Sequence, residues 1–245
     1  MAIQCTAADY HLRSTSSFLN ISSTAPFSIA VWLNASWTDG NTYSFVGIYG
    51  PTNSNDSPTA TPVTALQIGT KTGQGNLVFW TWGGTTLTAT STGVMNAFNN
   101  KWCHVTYTYD GTTHRGYVNG KLVTSTVGSN TAGFLKQIYI NGYPGATTNE
   151  TSTHQVDAYM LYNRALRDDE ILTISSARGS RHAITYGLLV WHEFDEQAQG
   201  TSVTNVVDLT KNGVNLTNVS VGTPGAPATY TYINTLANSN LRPVQ

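Results

Sequence analysis

Charged side chains are scarce here: Asp, Glu, Lys and Arg make up 10% of the 245 residues, against about 25% in an average soluble domain. Twelve basic against thirteen acidic residues leave a net charge of −1, which excludes the basic footprint that holds nucleic acid. Cysteine is nearly missing. Cys5 and Cys103 stand far apart, with no CxxC or Cys/His spacing, so they read as idle thiols and not as zinc ligands. No apolar run reaches the roughly 18 residues of a membrane span. Met1-Ala2-Ile3-Gln4-Cys5 also lacks the charged and apolar regions of a secretory signal. The chain is therefore read as neither exported by that route nor set in a membrane. Disorder throughout is excluded by 40% hydrophobic and 11% aromatic content at low net charge.

What is abundant is hydroxyl and amide. The chain holds 38 Thr, 20 Ser, 21 Asn and 22 Gly, a mixture suited to pleated strands joined by tight turns and ill suited to helices. The expected class is all-β. Six Asn-x-Ser/Thr sequons occur, at Asn20, Asn34, Asn55, Asn149, Asn215 and Asn218, about the number that chance gives in so Ser/Thr-rich a chain, so they carry no information.

Strand signals recur from end to end. Phe27, Ile29, Val31 and Leu33 alternate with small residues and define a core face. Tyr43–Tyr49, Val63–Gly69 and Asn76–Trp82 read likewise, with an exposed loop of Gly, Pro, Asn and Ser between residues 50 and 58. Lys101–Tyr109, Arg115–Val118 and Lys121–Val123 are three strands joined through Asp110-Gly111 and Asn119-Gly120, dipeptides that favour primed hairpin turns. Ile138–Gly142 and Val156–Tyr162 are further strands, and Arg167–Ile174, acidic in its first turn, is the one helix expected. Tyr186–Phe194 is a late strand. The stretch 222–245, with Pro224, Pro227 and Pro243, reads as an extended arm or surface-hugging tail that cannot supply a central strand. This divides the chain into a sandwich over 1–221 and an arm over 222–245.

Several of these segments carry a resemblance. Trp102-x-His104-Val105-x-Tyr107-x-Tyr109-Asp110-Gly111, then Tyr117-Val118-Asn119-Gly120-Lys121, resembles the central meander of the concanavalin A-like, laminin-G-like sandwich superfamily. Val156-Asp157-Ala158-Tyr159-x-x-Tyr162-Asn163-Arg164-Ala165-Leu166 and Phe27–Trp32 are similar to it as well. The resemblance implies a two-sheet antiparallel β-sandwich, a jelly roll with one short helix, and it fixes no function. Gly187–Glu196 with Val207-Asp208-Leu209 and Asn212-Gly213 looks like the strand and turn that open such domains, yet here it comes late. Either the strand order is permuted, so that 187–220 returns to the N-terminal strands, or a partial second copy follows the first.

Glu193-x-Asp195 is expected to place two carboxylates on one strand face, as laminarinase-type members of that superfamily do, but positions 197 and 198 are Gln and Ala, so the second acid of a glycosidase pair is missing. No catalytic residue is therefore assigned. His104, His154, His182 and His192 show neither a nucleophile elbow nor i, i+4 metal spacing and read as ordinary strand and loop histidines. No cofactor is assigned; calcium stays open, with Asp157, Asp195 and Asp208 as available oxygen donors. Trp80 and Trp82 share a strand face that is either core or a wet sugar platform, and Tyr43, Tyr49 and Tyr143 are expected as exposed contacts for glycan or protein. Tyr230, Tyr232, Leu236 and Leu241 would serve an assembly arm.

The missing export signal, the neutral hydroxyl-rich surface and the trailing arm together lead to a non-enzymatic structural or binding protein. The reading they favour is a bacteriophage capsid decoration protein at the virion surface, assembled in the host cytoplasm. It would be a homo-oligomer with the major capsid or another virion protein as partner, a host surface glycan as a further one, and no nucleic acid or membrane. The alternative is a carbohydrate-binding lectin module, and a glycoside hydrolase is the remote one.

Overall fold

The computed structural model describes residues 2–5, 10–14, 19–38, 43–50, 64–70, 75–81, 87–88, 93–130, 132–141, 153–178, 184–195, 205–210, 212–220 and 231–233. In chain order the strands are β1 Ala2–Cys5, β2 Tyr10–Ser14, β3 Ile21–Ser22, β4 Phe27–Ala35, β5 Tyr43–Gly50 and β6 Thr64–Thr70. There follow β7 Val78–Thr81, β8 Leu87–Thr88, β9 Trp102–Tyr109, β10 Thr113–Val118, β11 Lys121–Val127, β12 Phe134–Leu135 and β13 Gln137–Ile140. Then come β14 His154–Tyr162, helix α1 Asp168–Ser175, β15 Leu188–His192, β16 Asn205–Val206, β17 Leu216–Ser220 and β18 Thr231–Ile233.

Two antiparallel sheets face each other. One runs β11-β10-β9-β4-β14-β1-β18 with β15 also on β14, and the other runs β16-β17-β2-β13-β5-β6-β7-β8. The inward positions of β4, namely Phe27, Ile29, Val31 and Leu33, are essentially without solvent contact. They meet Val46, Ile48, Ile68, Phe79, Ile138 and Ile140 of the second sheet in one core. Each such side chain contributes about 1.5–3 kcal/mol on burial. The outer face of the first sheet is covered too: α1 lays Ile171 and Ile174 over Ala30, Tyr117, Met160 and Tyr162.

Local chemistry explains the turns and the helix start. Asn119 and Gly120 both take left-handed φ, 49° and 78°, and Val118 pairs with Lys121, the two-residue hairpin their dipeptide favours. Asp110-Gly111 departs from the expected primed turn: Tyr109 pairs with His114 across a wider loop. The reason is the Asp110 carboxylate, which accepts the backbone N–H of Thr112 and Thr113 at 3.0 and 2.8 Å and opens the turn. At α1, Glu170 accepts the Arg167 backbone N–H at 2.9 Å, so an acidic third position closes the first turn.

The chain ends share the sheets. Ala2–Gln4 pairs with Thr231–Ile233, so part of the expected arm lies as an edge strand on its own chain; the rest of 222–245 lies outside the described residues. β17 pairs with β2 from Leu216↔Ser14 to Ser220↔Tyr10, and β15 pairs with β14 at Leu161↔Val190. The late strand near residue 190 is thus built into the sheet that holds Phe27–Leu33. β14 accommodates two partners on one side because it bulges: between Asp157 and Met160 the register to β4 shifts, and Ala158 takes φ 46°. Cys5 and Cys103 are both buried and free, and burial pushes both thiols up, Cys103 to about 12.

Candidate functional site

A cleft of about 630 Å³ opens between the segment that leads into β4 and the turns that follow β15. That is within the roughly 300–1,000 Å³ of small-ligand sites. Leu19, Pro26, Leu189 and Val214 supply apolar surface, while Asn20, Asn163 and Asn212 supply amides. Among the described residues that line it, none is ionisable. An amide presents a donor and an acceptor side by side, which matches neighbouring hydroxyls, and the apolar patches match C–H faces.

One wall is held by a single carboxylate. Asp208 accepts the backbone N–H of Trp191 at 3.1 Å, of Thr210 at 3.0 Å and of Val214 at 3.2 Å. Thr210 Oγ and Asn212 Nδ2 both donate to the Leu189 carbonyl, at 3.0 and 2.7 Å. Together with Leu209 N–H on the Trp191 carbonyl at 2.9 Å, these bonds cap the outer edge of β15 as a neighbouring strand would. His192 braces the same wall from inside: its Nε2 lies 2.8 Å from the Val214 carbonyl, which can only accept, so Nε2 carries the proton. Burial brings this imidazole down to about 4, and it is neutral at ordinary pH.

A separate ionic cluster sits on the outer face of the first sheet. The Asp157 carboxylate lies 3.4 Å from Arg178 Nε, and the Arg178 guanidinium stacks 4.4 Å from the Trp102 ring centre. Burial pushes the Asp157 carboxyl up against the pull of Arg178, and Glu193 pushes the same way. Glu193 accepts the Trp191 indole N–H at 2.6 Å. Asp195 does not share its face. The strand ends at His192 and Phe194 takes a left-handed φ of 56°, which breaks the two-residue alternation, so Glu193 is buried and Asp195 exposed. The expected pair of carboxylates on one strand face is therefore corrected.

Other expected site residues fall differently. Tyr49 is not an exposed loop contact: it lies within β5, fully buried, edge-on to Tyr139 with ring centres 5.0 Å apart. Tyr43 opens β5 and pairs with Thr70, so it belongs to a strand and not to a loop. Trp80 pairs with Gln67 in β7 and Tyr232 with Ile3; the side chains of Tyr43, Trp80 and Tyr232 are outside the described residues. Trp82, Tyr143, Tyr230, Leu236, Leu241 and His182 lie wholly outside them. His104 and His154 are buried strand residues. Asp157, Asp195 and Asp208 do not come together, and among the described residues no group of three His, Cys, Asp or Glu side chains could hold a metal. The cleft itself escaped sequence reasoning, since its amides come from turns far apart in the chain.

Comparison with known proteins accords with this architecture. A protein of Bacteroides ovatus assigned a carbohydrate-binding role superposes with a TM-score of 0.60 at 17% identity, over 94% of this chain and 62% of that one. The chain thus spans less than two thirds of that protein. The native heptameric SAP-like pentraxin of Limulus polyphemus gives 0.52 at 15% identity, over 78% of this chain and 91% of its own. The binding domain of botulinum neurotoxin serotype G gives 0.51 at 15% identity, over 71% and 41%. At such identities the likeness speaks for the fold. A search of curated proteins finds no match by sequence. The family model of the concanavalin A-like lectin/glucanases superfamily matches residues 7–172, and to that superfamily the chain belongs.

Proposed function

We propose that the protein is a non-enzymatic, lectin-like module that binds a neutral glycan in the cleft between Leu19–Pro26 and the Leu189–Val214 wall. The observation that carries this reading is the lining itself: the side chains of Asn20, Asn163 and Asn212, the last with its Nδ2 already given to the Leu189 carbonyl, beside apolar surface and with no ionisable side chain among the described lining residues. A sugar polymer offers adjacent hydroxyls and C–H faces, and that surface complements both. Membership of a superfamily named for lectins and the likeness to the Bacteroides ovatus protein support it. The absence of an enzyme role is supported by the carboxylates. Glu193 is occupied by an indole N–H and Asp157 by a guanidinium, and Asp195 is exposed where Glu193 is buried. The glycan reading therefore takes precedence over the virion coat role, for which neither the described residues nor the comparisons supply an observation.

Affinity electrophoresis through gels containing neutral polysaccharides (laminarin, galactomannan, xyloglucan) tests the proposal. Retardation of the protein, removed by replacing Asn20 and Asn163 with alanine while thermal unfolding is unchanged, is the expected result. Equal mobility in all gels, or retardation that the double variant retains, overturns it. Release of reducing sugar from the same polymers, abolished by Glu193→Gln, would overturn the non-enzymatic part.

A further inference from the structure

Among the described residues one aromatic ring is left largely in water. Tyr186 is 79% exposed, whereas the other described aromatic side chains are buried or half-buried. It also has a held cation behind it. The Arg164 guanidinium lies 5.0 Å from the centre of the Tyr186 ring and 5.9 Å from that of buried Tyr162, so it is held between the two. Three of its five N–H donors are engaged: Nη1 and Nη2 grip the Glu170 carboxylate at 2.7 and 2.8 Å, and Nε donates to the Tyr186 carbonyl at 2.8 Å. A planar cation in a bidentate grip cannot swing away. It therefore backs one face of the tyrosine and leaves the other to solvent.

The turn that carries this ring is joined to a residue of the cleft. Asn163, a lining residue, donates its backbone N–H to the Gly187 carbonyl at 2.9 Å. A Cβ on Gly187, whose φ is +77°, would come within 2.9 Å of Asn163 Oδ1 and 3.0 Å of Arg164 Cδ. Glycine at 187 is what lets the Tyr186 turn lie flat on the Asn163–Arg164 strand end.

We infer that Tyr186 is an extension subsite: a stacking platform for the C–H face of a pyranose in a neutral glycan whose neighbouring units occupy the amide-lined cleft. The inference rests on the glycan reading above. A ring that already rests on a held guanidinium loses less freedom when a sugar lands on it than an unsupported one would, so more of the stacking shows in affinity. The guanidinium charge is balanced by Glu170, so the platform offers an anionic sugar no advantage over a neutral one.

Calorimetric titration with laminari-, cello- and manno-oligosaccharides, each as disaccharide and as a longer chain, tests this. Longer chains should bind the unaltered protein more tightly than disaccharides. Tyr186→Ala should weaken the longer chain about tenfold, the ratio that ~1.4 kcal/mol corresponds to, and leave the disaccharide alone. Tyr186→Trp should keep the length dependence, with all variants checked for unchanged thermal unfolding. If the unaltered protein binds and Tyr186→Ala binds every length as well as it does, the platform is refuted while the cleft stands. If the unaltered protein binds none of them, the glycan reading falls and the platform with it.

Discussion

Replacing Asp208 with alanine should be among the costliest single changes this protein can suffer at one atom group. The residue is 4% exposed and its carboxylate holds three backbone N–H groups besides the Thr210 hydroxyl at 2.8 Å. Alanine would leave those three donors without their acceptor. A buried donor left unsatisfied costs about 1–3 kcal/mol, and because two of these bonds are partly open to water the lower part of the summed range applies, about 3–5 kcal/mol. In a chain of this size each kcal/mol moves the unfolding midpoint by about 2–4 °C, so the fall is on the order of 6–20 °C. Asp208→Asn keeps one acceptor oxygen and turns an NH₂ toward the other donors, so it should cost roughly half as much. Urea denaturation followed by tryptophan fluorescence reads both variants, with the slope m unchanged. Since the same bonds hold the Leu189–Val214 wall, glycan affinity should fall in both. A loss of under about 1 kcal/mol for Asp208→Ala would refute the claim that this carboxylate caps the β15 edge.

Two further outcomes follow from buried groups. Burial holds the His104 and His192 imidazoles down at about 3 and about 4, while unfolded histidine titrates near about 6.5. Below that value the unfolded chain binds protons that the folded chain refuses, so this contribution to stability falls as pH drops and is fully present only above it. The raised Asp157 carboxyl acts in the opposite sense, so the informative quantity is a difference. Between about pH 7 and about pH 5, His192→Gln should lose about 2 kcal/mol less than the unaltered protein, and parallel stability curves would contradict this. Gly50→Ala should also destabilise, because the added Cβ runs into the Phe134 carbonyl oxygen and lies 3.1 Å from Lys136 N. Backbone cannot move aside cheaply, so the cost is at the upper end of about 1–3 kcal/mol or beyond; an unchanged urea midpoint would show that the two strands can separate there.

Much of the fold was legible because strand periodicity is a local signal. Phe27, Ile29, Val31 and Leu33 announce a buried face, Asn119-Gly120 a hairpin, and the acidic run at 168–170 a helix start, and each is found in place. Tyr49 misled because its surroundings in sequence, Gly47 and Gly50, suggest a turn. In three dimensions the missing side chain of Gly47 makes room for the Tyr49 ring, whose atoms lie 2.6–2.9 Å from where a Cβ would sit, and Tyr139 of β13 closes over it. Only the pairing of β5 with β13, Gly47 opposite Tyr139, contains that information. Glu193 and Asp195 misled for a related reason: alternation holds only while a strand continues, and the left-handed Phe194 ends it. The cleft was beyond reach because it is drawn from residues 19–22, 25, 26, 163, 189, 212 and 214, whose proximity depends on the late strands returning to the early ones.

That return has a kinetic consequence. Ile3 stands opposite Val156, and Leu12 opposite Asn218, so each sheet contains ladders that join residues separated by most of the chain. Local turns can form quickly, but neither sheet closes until distant segments have searched for and found each other, and such topologies fold in milliseconds to seconds and not in microseconds. During synthesis β2 must wait, one edge bare, until β17 has left the ribosome, and an unpaired strand edge is where a nascent chain is most prone to wrong pairing.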